Sequence, residues 1–146
     1  MAVKPIPDGY HSVTPYLVVD DPRKVLDFVK QAFGAEETVR MDGPDGSIAH
    51  CEFKVGDSMV MLGGAAGSQH GAMPAMIYLY VPDTDATYKR AIEAGATSTE
   101  EPNDAFYGDR RAGLRDPGGN FWYIATNVED VSPEEMERRV AAMQQQ

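Results

Sequence analysis

The sequence predicts an α+β chain in which a strand, a helix and three further strands occur twice in succession. Three observations predict it: a weak internal repeat, a glycine-terminated amphipathic helix after each copy, and turn signals that divide the stretch beyond each helix into extended pieces. In the repeat, Thr14 to Asp21 resembles Met76 to Asp83, with Tyr16 and Leu17 matching Tyr78 and Leu79, and Val19 matching Val81. Each run reads as a strand ending in a turn.

The helices follow from punctuation and spacing. Asp21 before Pro22 is an N-cap with proline at the first helical position, and Asp83 caps the second helix. Val25, Leu26, Val29 and Phe33 recur at three-to-four spacing before Gly34 and Ala35; Ala86, Tyr88, Ala91 and Ile92 precede Gly95 and Ala96. Beyond them, Asp45-Gly46 and Gly56-Asp57 mark turns in the first half and Asp116 to Gly119 in the second. Ile48 to Val55 and Met59 to Leu62 read as strands, with Ala112 to Arg115 and Asn120 to Thr126 as their counterparts.

A single domain is expected, with one module at about 10–64, a glycine- and alanine-rich linker at about 65–74, a second module at about 75–128 and a C-terminal helix at about 132–145. That helix opens with a capping box, Ser132 with Glu135, and Pro133 at its first position. Met136, Val140 and Met143 fall at helical spacing, a stripe suited to packing on the body or on a second subunit.

Composition narrows the function classes. With 146 residues, 42% hydrophobic and 25% charged, the chain is of ordinary globular make-up, and no apolar run approaches a membrane span. A formal charge of -10 argues against a nucleic-acid backbone as partner, since such affinity needs clustered Lys and Arg. Arg110 with Arg111, and Arg138 with Arg139, are short basic spots, of which Arg110 is the candidate ligand contact. Met1 to Pro5 lack the pattern of a signal peptide, and the lone Cys51 has no disulfide partner in its own chain; a cytoplasmic location is expected.

Strand parity predicts a pocket. Alternate side chains face opposite sides of a sheet. Ile77, Leu79 and Val81 oppose Met76, Tyr78 and Tyr80; Trp122 and Ile124 oppose Phe121 and Tyr123; Val60 and Leu62 oppose Met59 and Met61; Leu17 and Val19 oppose Thr14 and Tyr16. One sheet face is aliphatic and the other is rich in Met and Tyr. Thioethers and hydroxylated rings suit a concave site for a flat, partly apolar molecule, although such residues also line ordinary cores and interfaces.

The strand at Thr14 to Asp21, the helix ending at Phe33-Gly34-Ala35 and the closing Asp116 to Trp122 resemble the vicinal oxygen chelate superfamily, which includes glyoxalase, bleomycin-resistance and dioxygenase members. Ile48 to Leu62, Phe106 to Arg110 and Ile124 to Asp130 are similar to its PhnB-like branch. The resemblance covers about residues 10–135. It implies paired βαβββ modules forming a cupped eight-stranded mixed sheet, usually in a homodimer. Enzymes of the superfamily hold a divalent metal through His, Glu or Gln on the first and last strand of each module. Carried onto this chain, that pattern falls on Thr14, Met61, Met76 and Tyr123, none a usual ligand for such an ion. Asn120 and Asn127 stand where PhnB-like relatives often carry histidines, so no role of those imidazoles transfers.

The expected function is therefore metal-independent binding of a small, partly aromatic or apolar molecule, with no metal or other cofactor, no nucleic acid and no membrane as partner. The pocket is expected from Tyr16, Met59, Met61, Met76, Tyr78, Phe121 and Tyr123, with Phe106, Tyr107 and Arg110 closing over it from a loop spanning Glu100 to Asp109. His50 shares a strand face with Glu52 and is a candidate contact or acid–base group; His70, in the glycine-rich linker, reads as solvated. The alternative is a metal-dependent lyase, isomerase or dioxygenase using His11, His50 and Glu52, and a third reading is a scaffold or regulatory dimer with a vestigial pocket. No Gly-x-Ser-x-Gly nucleophile motif occurs, and Gly63 to Gly67 lacks the ending of a phosphate loop.

Overall fold

A computed structural model describes residues 2–145. The strand β1 (Tyr16–Val19) leads into α1 (Pro22–Phe33), followed by β2 (Glu36–Asp42), β3 (Ile48–Val55) and β4 (Ser58–Gly64). A short 3-10 turn at Ala65–Gly67 precedes the same order again: β5 (Met76–Tyr80), α2 (Thr84–Glu93), β6 (Thr97–Asp104), β7 (Asp109–Arg115) and β8 (Phe121–Asn127). The helix α3 (Pro133–Gln144) closes the chain. The repeated βαβββ order and the C-terminal helix are those the sequence predicts.

Each module makes one mixed sheet of four strands, in the orders β1-β4-β3-β2 and β5-β8-β7-β6. The first strand of each is parallel to the last, because the helix crosses over between them; the rest are antiparallel. Both far edges, β2 and β6, are strands whose positions the sequence leaves unmarked. β2 carries little apolar signal, and β6 contains Pro102, which an edge strand tolerates and a central one does not. Two register shifts interrupt the pairing of β6, and the second, between Glu100 and Asn103, spans that residue. The loop expected from Glu100 to Asp109 is corrected accordingly. Its first half belongs to β6 and Asp109 begins β7, which leaves a turn at residues 105–108.

The helix ends obey local chemistry. Asp83 accepts from the backbone N–H of Ala86, whereas Asp21 occupies the N-cap position without a side-chain bond and Pro22 sets the first turn. Gly34 ends α1 in the left-handed region at φ 68°, where a side chain would be strained.

Most of the aliphatic parity set is the core, while Ile77, Leu79 and Val81 are only half-buried against it. Leu17, Val19, Val60, Leu62, Leu114, Trp122 and Ile124 are buried with Val25, Leu26, Phe28 and Val29 of α1. One apolar cluster spans both modules, because α1 and α2 pack on each other as well as on their own sheets. Phe33 of α1 lies 4.9 Å, ring to ring, from Trp122 of β8, and the Arg90 guanidinium of α2 donates to the carbonyl of Ala32. The helices thus lie between the modules, and the Met/Tyr faces of the two sheets look outward. α3 buries none of its residues; Arg139 ties it to the body through Glu129 and the carbonyl of Phe106. No helix among the described residues is long and apolar enough to cross a membrane.

Candidate functional site

On the first sheet, register places Tyr16 beside Met61, Glu52 opposite Met61, and Val39 and Met41 opposite Glu52 and His50. The Tyr16 hydroxyl is 3.0 Å from His50 Nδ1, and His50 Nε2 is 2.8 Å from Glu52 Oε2. A cavity of about 430 Å³ adjoins this face under the N-terminal segment, lined by Pro5, Tyr10, His11, Thr14, Glu52 and Met61 among others. A second hollow, of about 690 Å³, lies between the Asp20–Pro22 turn and the 43–49 hairpin loop, away from every candidate residue.

The second sheet holds a denser polar cluster. Asp109, 1% exposed, accepts from the hydroxyls of Tyr78 at 2.7 Å and Tyr80 at 2.9 Å, and from Asn127 Nδ2 at 3.0 Å. Because the Tyr78 proton is directed at Asp109, the 2.8 Å contact between Tyr78 and Tyr107 has Tyr107 as donor. Arg111 Nη1 donates in turn to the Tyr107 hydroxyl at 3.0 Å and clamps Glu100 through Nε and Nη2. The Arg111 guanidinium also stacks over the Tyr123 ring at 4.8 Å. Burial raises the Tyr78 phenol, and its bonds to Tyr107 and Asp109 add to that. Burial works against ionised Asp109, but the bonds from Asn127, Tyr78 and Tyr80 outweigh it and hold the carboxyl below its ordinary range.

The structure brings Tyr16, His50 and Met61 together on one sheet with Met59 nearby on the same strand, and Met76, Tyr78, Phe121, Tyr123 and Tyr107 together on the other. It does not join the two groups within one chain. Phe106 sits in the β6–β7 turn, edge-on to Tyr107 at 5.3 Å. Arg110 lies elsewhere: it shares the parity of buried Ala112 and Leu114, and forms ion pairs with Asp85 of α2 and with Asp104. Its neighbour Arg111 faces the Tyr cluster. Counting back from Ala112 and Leu114 would have separated the two arginines, and would also have put Asp109 on the Tyr face.

The four positions implied for a divalent metal do not fit one. Thr14 donates to the carbonyl of His11, Met61 and Met76 are thioethers on separate sheets, and Tyr123 lies beneath Arg111. His11, His50 and Glu52 do not form a ligand set either; among the described residues no three His, Cys, Asp or Glu side chains converge as a metal-holding group. Cys51 is buried, and burial pushes its thiol up to about 11, so it is no nucleophile at neutral pH.

Comparison with known proteins agrees with this architecture. An uncharacterized protein of Mycobacterium bovis is 36% identical over 141 residues, which cover 90% of this chain and 93% of that protein. The crystal structure of TioX from Micromonospora sp. ML1 superposes with a TM-score of 0.69 at 23% identity, over 81% of this chain and 99% of that one. A glyoxalase/bleomycin resistance protein/dioxygenase family enzyme from Burkholderia phytofirmans gives 0.63 at 22% identity, over 77% and 95%, and both likenesses concern the fold alone. The family model described as Glyoxalase/Bleomycin resistance protein/Dioxygenase superfamily matches residues 9–124, and the chain belongs to that superfamily.

Proposed function

We propose that this protein binds a small, flat, partly apolar molecule on the Met/Tyr faces of its sheets without using a metal. The observation that carries this reading is the exposure of those faces. Met76 is 67% exposed, Tyr80 60% and Tyr16 51%, with Met41, Tyr78 and Phe121 open beside them. Apolar area of this extent on a globular domain marks a surface that is covered in use. Around Asp109 the tyrosine hydroxyls are tied down, so rings rather than hydroxyl groups face outward and offer stacking area at little entropic cost.

The same exposure supports a homodimer in which a second copy completes the cup. Each chain offers two half-sites that look away from each other, and β5 is an open sheet edge able to meet a strand of another copy. The cup then draws Tyr16, His50, Met59 and Met61 from one protomer and Met76, Tyr78, Tyr107, Phe121 and Tyr123 from its partner, with Arg111 rather than Arg110 as the arginine at its wall. Drug or metabolite sequestration by a cytoplasmic protein of the PhnB-like branch is the role that suits such a pocket.

The test is a calorimetric titration of flat aromatic compounds in the presence of a chelator. Saturable binding is expected, and Met61→Glu, which puts a second carboxylate opposite Glu52, reduces it at least about tenfold, or roughly 1.4 kcal/mol, with little change in thermal stability. Binding that appears only on adding a divalent metal would overturn the reading. Trp122 is no reporter here, since it lies wholly inside the aliphatic core.

A further inference from the structure

We propose that Arg115 anchors a carboxylate, so that the flat molecule taken by the Met/Tyr faces is an aromatic carboxylic acid. The proposal rests on the binding reading and adds the charge of the ligand. Met76, Phe121 and Arg115 are cross-strand neighbours in one row of the second sheet, on β5, β8 and β7. All three are exposed on the open face, and the Arg115 guanidinium lies 5.9 Å from the centre of the Phe121 ring. The row therefore runs from a thioether through an aromatic ring to a cation. Two strand spacings make it about 10 Å across, a span that suits two fused rings bearing a carboxylate.

Arg115 departs from a module whose other polar groups turn inward. The other arginines in the strands are each tied to a carboxylate: Arg40 to Glu37, Arg110 to Asp85 and Asp104, and Arg111 to Glu100. Among the described residues Arg115 has no hydrogen bond or ion pair; its close side-chain contact is the Phe121 ring. Asp116, next in sequence, is buried, and its carboxylate is held by the N–H groups of Gly118 and Asn120 and by the Trp122 indole. Thr97, opposite Arg115 on β6, carries no charge. In a chain of net charge -10, an arginine kept from every carboxylate on an exposed apolar row has its donors available to one from outside.

The equivalent position of the first module gives the contrast. Lys54 pairs with Met59 as Arg115 pairs with Phe121, but Glu36 stands opposite it on β2 and Glu52 lies two residues away on the same face. An anion there would meet carboxylates. The guanidinium also suits the group better, since its planar fork gives a carboxylate two parallel hydrogen bonds where an ammonium is a point charge. With the carboxylate on Arg115, the rings of the ligand lie along Phe121 and Met76, next to Tyr78 and Tyr123 on the same face.

The probe is 2-naphthoate, with 2-naphthamide as its neutral counterpart of the same shape, titrated calorimetrically into the full chain at neutral pH with a chelator present. The wild type is expected to bind the acid about tenfold tighter than the amide, and added salt to weaken the acid alone. Arg115→Met should cost the acid about tenfold and leave the amide unchanged, while Arg115→Lys should keep part of the preference. Arg115 is exposed and lies outside the core, so both variants stay folded. Phe121→Ala, which leaves the cation in place, should weaken both ligands. Equal affinities for acid and amide in the wild type overturn the proposal and leave the binding reading intact. So does a preference that survives in Arg115→Met, or one that is lost in Lys54→Met alone. Absence of binding by either ligand overturns the two together.

Discussion

The two modules share one topology and one parity, yet their outward faces use polar groups differently. In the first, Tyr16, His50 and Glu52 form a line whose Glu52 end borders a cavity and whose Tyr16 end is exposed. In the second, Arg111, Tyr107, Tyr78 and Tyr80 direct their protons inward along a chain that ends on buried Asp109. The connections between the last two strands differ in the same sense. Asp57 sits in an exposed two-residue turn and, among the described residues, accepts from Ser58 alone, whereas buried Asp116 accepts from the N–H groups of Gly118 and Asn120, the Asn120 amide and the Trp122 indole. The second module is a rigid frame built on buried carboxylates and the first is where polar groups stay available. The two modules share one topology and differ in how their carboxylates are used.

That contrast can be broken at its strongest point. Asp116→Ala removes one acceptor from several buried donors and is expected to cost about 3–5 kcal/mol in urea denaturation. A cost under about 1 kcal/mol would mean that water or a rearranged turn replaces the carboxylate.

Asp109→Asn comes next, with an expected loss of about 2–3 kcal/mol as Tyr78 and Tyr80 lose a charged acceptor. The sign of its pH dependence follows from its depressed carboxyl. Folding holds Asp109 ionised more firmly than the unfolded chain does, so its contribution is fully present above the ordinary carboxylate range and is lost as pH falls through the lowered value. Stability measured by denaturant from neutral pH downward should fall less steeply in Asp109→Asn than in the wild type. Equal slopes would show that Asp109 is not the group responsible.

The smallest effect is the control. Asp57→Ala, at the matching turn of the first module, should stay within about 0.5 kcal/mol, since Asp57 and its one hydrogen bond are exposed and water can take its place.

Much of the fold is readable from residue order. Leu17, Val19, Val60, Leu62, Trp122 and Ile124 alternate with Tyr16, Met59, Met61, Phe121 and Tyr123, and that alternation alone separates the buried face from the open one. Gly34 and the Asp83 cap set helix ends by local chemistry. The features that escape such reading depend on pairing at a distance. β6 is a strand despite Pro102 because its hydrogen bonds are needed on one side only, and nothing in Thr97 to Asp104 announces that. Arg110 and Arg111 differ only in parity, which requires knowing where β7 begins. That the modules meet through their helices, sending the two Met/Tyr faces apart, is a tertiary choice made by Phe33, Arg90 and Trp122 across a wide sequence separation.

The most direct test is NMR of the methionine methyl groups during titration with a flat aromatic compound in chelator. Met59, Met61 and Met76 lie on the proposed faces, and Met136 and Met143 on the solvent-flanked α3 serve as internal controls. The account predicts saturable shifts of the first three methyls with the α3 pair unmoved. Shifts confined to α3, or none on the sheet faces until a divalent metal is added, would contradict it.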